Sequence, residues 1–212
     1  MGAGDGKADS SWRKIIRTTF PSINIVYDCL EPNEDHFQLL SQTEGLTPHR
    51  GTFDSFETPK KYHIVLFMHV IHWMENIVVA VEKARNILLP TGKVIIVQQS
   101  QNGTPKLFES AIKNRIVSFT ELPFFCFPVE RISDMLNMKG FTTSMEIIEG
   151  DLDVTGIENL TKEGLGLLSF ILSTDMRECK PHVFSEFLKD LVSFSKNGKM
   201  REDVGFLSVS AI

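Results

Sequence analysis

The sequence predicts an α/β protein with a doubly wound parallel sheet and helices on both faces. Strand patterns alternate with helix patterns over residues 11–99, which is typical of sheets built from β–α–β units. Two of these strand patterns are almost continuously apolar, as expected of strands buried on both faces. A glycine-rich segment precedes the first helix pattern, where such sheets carry a ligand-binding turn.

The first fifty residues contain two helix patterns and two strand patterns. Residues 11–19 form an amphipathic helix pattern, and a proline two residues later ends it. Residues 23–30 are apolar and β-branched, which predicts a strand. Residues 34–42 predict the second helix. Residues 46–50 predict a short strand, and the proline inside it favours a sheet edge.

The next elements continue the alternation. Residues 62–70 are an apolar run that predicts a buried strand, and residues 76–88 form an amphipathic helix pattern closed by a proline and a glycine. Residues 93–99 predict another buried strand. Two further helices are predicted at residues 105–117 and 129–139.

The rest of the chain follows a looser pattern. Residues 142–150 and 204–212 predict strands, and residues 162–172 and 182–194 predict helices. No repeat or linker divides the sequence, so we predict one domain over residues 1–212. Residues 1–99 form its cofactor-binding half, and residues 100–212 form the half that carries the lid, the substrate site and the C-terminal sheet.

Composition excludes several classes of protein. The chain has 22 basic and 27 acidic residues and a net charge of −5, which provides no basic surface for nucleic acid or membrane. Three widely spaced cysteines predict neither a disulfide framework nor a metal site. No apolar run reaches membrane length. We expect a cytoplasmic monomer that acts on a small molecule.

A glycine loop and an acidic residue form the strongest motif. Gly2, Gly4 and Gly6 alternate, and Asp5 lies between the last two. Glycine backbones reach positive φ and approach ligands closely. Glu31 follows at the carboxyl end of the next predicted strand, where doubly wound sheets bind ligands. A carboxylate there can accept hydrogen bonds from both ribose hydroxyls of an adenosine. The alternative is a glycine-rich tail and an acid that merely begins a turn.

The glycine spacing separates two classes of cofactor. A dinucleotide fingerprint requires G-x-G-x-x-G, whose helix N-terminus faces a pyrophosphate. Counted from Gly2, its third glycine falls at Lys7. The observed G-x-G-x-G, with Asp5 inside the loop, suits a ligand without phosphates. The spacing therefore favours S-adenosylmethionine over NAD.

With these motifs, the chain resembles class I S-adenosylmethionine-dependent methyltransferases, and among them the histamine N-methyltransferase group. The resemblance implies a Rossmann-like sheet and an N-methyltransferase that acts on a small amine or imidazole compound. It spans nearly the whole chain, although only the loop and the Glu31 segment are specific. The matching segments are residues 2–6, 29–32, 49–52, 62–76 and 186–191.

The resemblance also implies site residues. Gly2 and Glu31 match cofactor-binding positions, and His36, Phe53 and Met68 stand at further positions that contact the cofactor in the family. His36 replaces an amide and Phe53 replaces a hydroxyl, so only their location carries over.

The methyl-acceptor site is expected after the strand at residues 62–70. His69, His72 and Trp73 follow that strand. His69 is equally well explained as a core histidine, whereas the ring of Trp73 suits a pocket wall that attracts a cationic amine. Near the C-terminus, Glu202 is nearest to an amide that the family uses for its acceptor, or Asp203 if the register slips.

Phenylalanines are unusually frequent in the segment expected to cover the ligand crevice. We expect them to pack in the lid and core rather than to contact ligands specifically. These residues are Phe108, Phe119, Phe124, Phe125 and Phe127.

No nucleophile, catalytic triad or metal is expected, because methyl transfer to a neutral nitrogen depends mainly on alignment. No strand pattern precedes Gly2, so we expect the first, central strand of the sheet to be missing and the activity to be poor. The alternative function is a truncated, non-catalytic protein with a methyltransferase fold. A nicotinamide oxidoreductase is a third hypothesis, which Lys7 disfavours.

Overall fold

The computed structural model of this protein describes residues 2–117, 127–172, 174–176 and 181–210. The chain divides into two compact units. The first contains the chain up to Val70 and residues Met74–Val94, and the second contains Ile71–Trp73 and Ile95–Ser210. Within the described ranges, no helix is long and apolar enough to cross a membrane.

The first unit contains two strand pairs. β1 and β2 are parallel, with Leu30 opposite His49, and β3 lies beside β4. Asparagines cap two of its helices: the side chain of Asn33 accepts a hydrogen bond from the first turn of α2, and that of Asn76 accepts from the first turn of α3. The elements are α1 Lys7–Thr19, β1 Asp28–Glu31, α2 Glu34–Leu40, β2 Thr47–Arg50, β3 Tyr62–Met68, α3 Ile77–Asn86 and β4 Leu88–Gln99, whose last residues belong to the second unit.

The second unit combines a sheet with a helical cluster. β9 lies between β4 and β5 and is antiparallel to β5. β8 pairs with β6 and with β7, in both cases antiparallel. Its elements are a 3-10 helix Ile71–Trp73, α4 Thr104–Lys113, α5 Val129–Met138, β5 Thr143–Ile148, β6 Asp151–Asp153, α6 Thr155–Glu158, α7 Lys162–Leu172, α8 Pro181–Phe194, β7 Ser195–Lys196, β8 Lys199–Arg201 and β9 Val204–Ser210.

Each unit has its own core. In the second unit, α4, α7 and α8 meet through Leu107, Leu168 and Phe187, all fully buried. In the first unit, Phe67 of β3 is fully buried. Cys29 of β1 is also buried, and this burial raises the pKa of its thiol to about 12.

The predicted α/β architecture is confirmed, with two corrections. The sheets are mixed rather than wholly parallel, because β5 runs antiparallel to β9. The strand predicted at residues 62–70 is not buried on both faces. Val65 and Phe67 are buried, but Ile64 between them is 58% exposed, so β3 has one covered face.

Several element boundaries also differ from the prediction. β1 begins at Asp28 rather than at residue 23, and α1 begins at Lys7 because Gly6 takes a left-handed conformation that starts the helix. β4 begins at Leu88, so the proline and glycine expected to end α3 lie inside a strand. The short elements β6, α6, β7 and β8 had no sequence signal.

Candidate functional site

The glycine loop, residues 2–6, lies in the first unit. It directly precedes α1 and is hydrogen-bonded to β1. Gly2, Gly4 and Gly6 have φ values of 59°, 57° and 79°, in the left-handed region that favours glycine. The Ala3 amide donates to the Leu30 carbonyl at 3.0 Å. The sequence thus places glycine at three positions where other residues would be strained.

The three glycines face different surroundings. A Cβ atom on Gly2 would lie 2.6 Å from the Val70 side chain, and one on Gly6 would lie 2.7 Å from the Leu40 side chain, so a larger residue at either position would have to displace that neighbour. A Cβ atom on Gly4 would have no atom within 4 Å. The loop is therefore packed at both ends and open in the middle, where a ligand could approach the backbone.

Glu31 holds the open middle of the loop. Its side chain lies at the end of β1 and the residue is 5% exposed. One carboxylate oxygen accepts a hydrogen bond from the Gly4 amide at 2.7 Å, and the other accepts one from the Asn33 amide at 2.9 Å. An ionised carboxylate has about four acceptor positions, so each oxygen keeps capacity for a further donor.

Asp5 carries a second negative charge in this loop. Its carboxylate lies 2.5 Å from the Lys7 ammonium and also accepts from the Lys7 amide at 3.2 Å. The hydrogen bond from the Lys7 side chain lowers the pKa of Asp5, and a smaller contribution comes from the charge of His36. His36 is an exposed residue of α2 whose amide is capped by Asn33.

Two other predicted cofactor residues lie in packed surroundings. Phe53 is 1% exposed, and its ring packs edge-to-face on Phe67 at a centroid distance of 5.3 Å. The Lys83 ammonium lies 5.4 Å from the centroid of the Phe53 ring. Met68, at the end of β3, accepts a hydrogen bond on its sulfur from the Trp12 indole at 3.2 Å.

His69 follows β3 and is exposed. Its φ of 53° lies in a region that is sparsely populated by residues other than glycine, and such strain is concentrated at functional sites. His69 is therefore not the core histidine that the sequence left as an alternative, because the residue is exposed.

His72 and Trp73 belong to the 3-10 helix of the second unit. His72 is 2% exposed and its Nδ1 lies 3.3 Å from the Gln98 Nε2. The same Gln98 nitrogen lies 3.4 Å from the Phe127 carbonyl, so it donates to both partners and His72 accepts through Nδ1. Trp73 is 59% exposed and its ring centroid lies 5.3 Å from that of His72.

Glu202 caps α4 in the second unit. One of its oxygens accepts from the Thr104 amide at 2.6 Å and the other accepts from the Thr104 hydroxyl at 3.1 Å. Burial raises the pKa of Glu202, although the bonds from Thr104 act in the opposite direction. Its neighbour Asp203 is fully buried and binds Arg201 at 2.8 Å.

Some relevant residues carried no usable sequence signal. Asn33 both caps α2 and donates its amide to Glu31; an asparagine before a helix predicts only the first of these contacts. Among the phenylalanines expected in the lid or core, Phe108 lies in the core of the second unit. Phe119, Phe124 and Phe125 lie outside the described residues.

No family model matches the chain, and no curated protein matches it. Solved structures, in contrast, do match the chain. A candidate methyltransferase from Bacillus halodurans superposes with a TM-score of 0.58 at 15% identity, covering 98% of this chain and 89% of the other. The chain therefore shares the fold of this candidate methyltransferase.

Two further structures agree on this methyltransferase fold. An S-adenosylmethionine-dependent methyltransferase from Thermotoga maritima, a candidate histamine N-methyltransferase, gives a TM-score of 0.54 at 14% identity and covers 100% of this chain and 80% of the other. A plantazolicin methyltransferase in complex with a triazolic desmethyl analogue and S-adenosylhomocysteine gives 0.53 at 12% identity, covering 100% of this chain and 75% of the other.

Proposed function

We propose that this protein is an S-adenosylmethionine-dependent methyltransferase that methylates a nitrogen of a small amine or imidazole compound. The observation that carries the proposal is the 2.7 Å bond from the Gly4 amide to Glu31. It joins the glycine loop and the acid, the two parts of the predicted cofactor site. The methyltransferase fold of the structural neighbours supports the same cofactor.

The residues present fit an adenosine with a cationic substituent. Glu31 keeps acceptor positions on both oxygens for ribose hydroxyls, and Gly4 faces open space. The lowered pKa of Asp5 keeps a negative charge in the loop. Lys7 pairs with this carboxylate, so the preference for S-adenosylmethionine over NAD rests on the glycine spacing of the loop and not on the charge of Asp5.

S-adenosylmethionine, when bound, supplies an electrophilic methyl group. The protein's own part is to align the acceptor nitrogen and to exclude competing water, which accounts for most of the rate in such transfers. In this proposal Glu31 and the loop residues bind the cofactor, with His36 and Met68 at its border. Phe53 acts by packing.

The acceptor class rests on separate support. Trp73 presents an exposed ring, which can attract a cationic amine. His69 and His72 are further candidates for contact with the acceptor, and the Thermotoga neighbour is a candidate histamine N-methyltransferase. Glu202 could contact the acceptor either while it continues to cap α4 or after its hydrogen bonds from Thr104 are broken.

Cofactor choice can be measured by thermal unfolding. S-adenosylhomocysteine at about 100 times its dissociation constant should stabilise the protein by about 2.7 kcal/mol, which raises the Tm by about 5–11 °C for a chain of this length. NAD at the same concentration should leave the Tm unchanged. Stabilisation by NAD alone would contradict the assignment.

The role of Glu31 can be tested with a matched pair of variants. Glu31→Gln should weaken S-adenosylhomocysteine binding by about 1.5–3 kcal/mol, or about 10- to 150-fold in dissociation constant, because a charge-assisted bond is lost. Glu34→Gln is the control, since Glu34 is an exposed residue of α2 that pairs with Arg50. Equal affinities of the two variants in calorimetry would exclude Glu31 from the cofactor site.

Acceptor recognition can be separated from cofactor binding by kinetics. With histamine and other small amines as acceptors, Trp73→Ala should raise KM by about 5- to 30-fold through loss of a cation–π contact. Trp73→Phe should retain most of the affinity. If both cofactor binding and turnover are absent, the alternative of a non-catalytic protein with this fold is favoured instead.

A further inference from the structure

One face of α1 carries a cavity of about 310 Å³. Its lining residues follow one another at intervals of three and four residues, and side chains at this spacing lie on the same face of a helix. We call it the α1 cavity, and it is lined by Ser10, Arg13, Lys14, Arg17 and Thr18. All of α1 is described by the structure and belongs to the first unit, so the α1 cavity lies within one unit.

Three of the five lining side chains are cationic, and their charges are not balanced. The side chains of Arg13, Lys14 and Arg17 form no ion pair with any residue that the structure describes. Arg13 and Arg17 are four residues apart, a spacing at which like charges destabilise a helix. The sequence thus concentrates positive charge on one face of α1, and an anionic ligand would balance it.

The carboxylates in α1 and just before it have other partners. Asp9, the acidic residue of α1, is buried and accepts a hydrogen bond from the Tyr27 hydroxyl at 2.9 Å. Asp5, in the glycine loop, pairs with Lys7 at 2.5 Å. Neither carboxylate therefore neutralises the three cations of the α1 cavity.

Arg13 is held in place by packing. A Cβ atom on Gly45 would lie 2.5 Å from the guanidinium carbon of Arg13 and 2.8 Å from its Nη2, so the guanidinium occupies the room that glycine leaves. The Arg13 Nε is buried and has no hydrogen-bond partner among the described residues. Glu44, the residue before Gly45, is exposed. The guanidinium is therefore positioned beside the α1 cavity while its Nη donors remain available to a ligand.

Phosphate groups match these donors. Guanidinium groups bind phosphate oxygens in pairs, and an ammonium adds a point charge. Arg13 and Arg17 are about 6 Å apart along the helix axis, at a rise of about 1.5 Å per residue, so their donors can reach two linked phosphates. The Ser10 hydroxyl is a neutral donor on the same face. The volume of about 310 Å³ suits a compact ligand, because small-molecule sites span about 300–1,000 Å³.

We infer that the α1 cavity binds a small compound through a terminal diphosphate group. A terminal phosphate carries about two negative charges at neutral pH, and the phosphate linked to it carries one more, so together they balance three cations. Both phosphates of NAD are diesters with a single charge each, which leaves one cation unbalanced. This site is separate from the cofactor site proposed at the glycine loop.

The charge of the whole chain favours a compact ligand over a nucleic acid. At physiological salt, exposed charges are screened beyond about 8–10 Å, so a diphosphate interacts mainly with the α1 cavity. A nucleic acid would extend beyond α1, which is about 20 Å long at 1.5 Å per residue. It would then be repelled by a protein whose net charge is −5.

Isothermal titration calorimetry of the full chain with inorganic pyrophosphate, in the absence of divalent metal ions, tests the site. Arg17→Gln should raise the Kd at least about tenfold, because a hydrogen bond between charged groups is lost. Arg17 is exposed, so the variant should keep its fold, which circular dichroism checks. The matched control is Lys93→Gln, which removes one charge from an exposed residue of the first unit outside the α1 cavity and should leave the Kd unchanged. Equal Kd values for the two variants, or no binding to the native chain at about 10 mM, would overturn the inference.

A second pair of variants separates geometry from charge. Arg13→Lys keeps the positive charge but loses the paired donors, so it should raise the Kd for pyrophosphate by about fivefold or more. Lys14→Arg keeps the charge and adds donors, so it should leave the Kd unchanged or lower it. A native Kd for Arg13→Lys would contradict the role of the guanidinium.

Two further titrations distinguish the α1 cavity from other sites. With S-adenosylhomocysteine at saturation, the Kd for pyrophosphate should be unchanged, and a large rise would place pyrophosphate in the glycine loop instead. A short single-stranded oligonucleotide should bind more weakly than pyrophosphate. Tighter binding of the oligonucleotide that is lost in Arg17→Gln would assign this face to nucleic acid. Either of these two results would overturn the proposed diphosphate site.

Discussion

α1 in the first unit and α4 in the second unit have similar amphipathic sequences and very different surroundings. α4 buries Leu107 and Phe108 in a core shared with α7 and α8. α1 leaves Trp12 and Ile15 exposed and buries Asp9 instead. An apolar stripe in a sequence therefore predicts that a helix has an apolar face. It does not predict whether other elements of the protein bury that face.

The two units also differ in what their polar groups do. In the first unit, Glu31 and Asp5 hold a loop that is open at Gly4. In the second unit, Glu202 and Asp190 are occupied in fixing α4, where Asp190 accepts from Ser110 at 2.8 Å. The carboxylates of the first unit thus hold a loop with an open side, whereas those of the second unit fix a helix that packs in a buried core.

The largest expected effect compares one side chain from each unit. Phe187→Ala should lower the free energy of unfolding by about 3–5 kcal/mol, because Phe187 is fully buried in the core of the second unit. Ile15→Ala should change it by less than about 0.5 kcal/mol, because Ile15 is 55% exposed. Urea titrations followed by circular dichroism measure both. A larger loss for Ile15→Ala would show that α1 is covered in solution.

An intermediate effect is expected within the glycine loop. Gly6→Ala combines the cost of a left-handed alanine, about 1–2 kcal/mol, with a 2.7 Å contact to Leu40. Gly4→Ala has the conformational cost alone. We expect Gly6→Ala to be the more destabilising in thermal unfolding and Gly4→Ala to impair cofactor binding more than it impairs stability. The reverse order would mean that the open side of the loop is at Gly6.

The smallest expected effects are two opposite pH dependences. Burial alone would raise the pKa of Asp28, but hydrogen bonds from His49 and Lys60 outweigh it and lower that pKa below 3.8. The stability that Asp28 contributes is therefore present above pH 3.8 and is lost as the pH falls through the folded-state pKa. Asp28→Asn should accordingly cost least in strong acid.

Glu202 should show the opposite sign. Burial raises its pKa above 4.5, so the stability linked to its proton is present below pH 4.5 and is lost as the pH rises through the folded-state pKa. Glu202→Gln, which resembles the protonated form, should gain stability relative to the native protein between pH 4 and pH 7. Denaturant midpoints of Glu202→Gln across this range, and of Asp28→Asn from neutral pH down into strong acid, check the two signs. A loss for Asp28→Asn that does not shrink in acid, or no gain for Glu202→Gln as the pH rises, would contradict the contrast.

The sequence predicted the elements with strong periodicity and missed those defined by tertiary contacts. α7 was predicted at its observed bounds, Lys162–Leu172, because its apolar pattern is long. β4 was predicted too short, because Pro90 and Gly92 usually end elements. A Cβ atom on Gly92 would lie within 3.1 Å of backbone oxygens of β3, so glycine is needed there for the close approach of the two strands. β7 and β8 are held by pairing with each other and with β6, which no local pattern reveals.

The candidate site was predicted in its outline and not in its contacts. The sequence predicted that the loop and Glu31 lie together at the crevice formed by the carboxyl ends of the strands, and in the structure the Gly4 amide donates to Glu31 at the end of β1. The pairing of Asp5 with Lys7 and the contact of Met68 with Trp12 depend on side-chain directions. Lys7 was considered only as a departure from a glycine pattern, whereas in the structure it balances the charge of Asp5.

Because Cys29 is buried in β1, the reactivity of its thiol can measure how often the first unit opens. A thiol that is 1% exposed and has a pKa of about 12 reacts negligibly with alkylating reagents at neutral pH, since the thiolate is the reactive form. When β1 separates from its neighbours, the thiol returns to an ordinary pKa of about 8.5. With Cys126 and Cys179 replaced by serine, the rate of alkylation would therefore measure how often the strand beside the glycine loop is exposed, without any added probe.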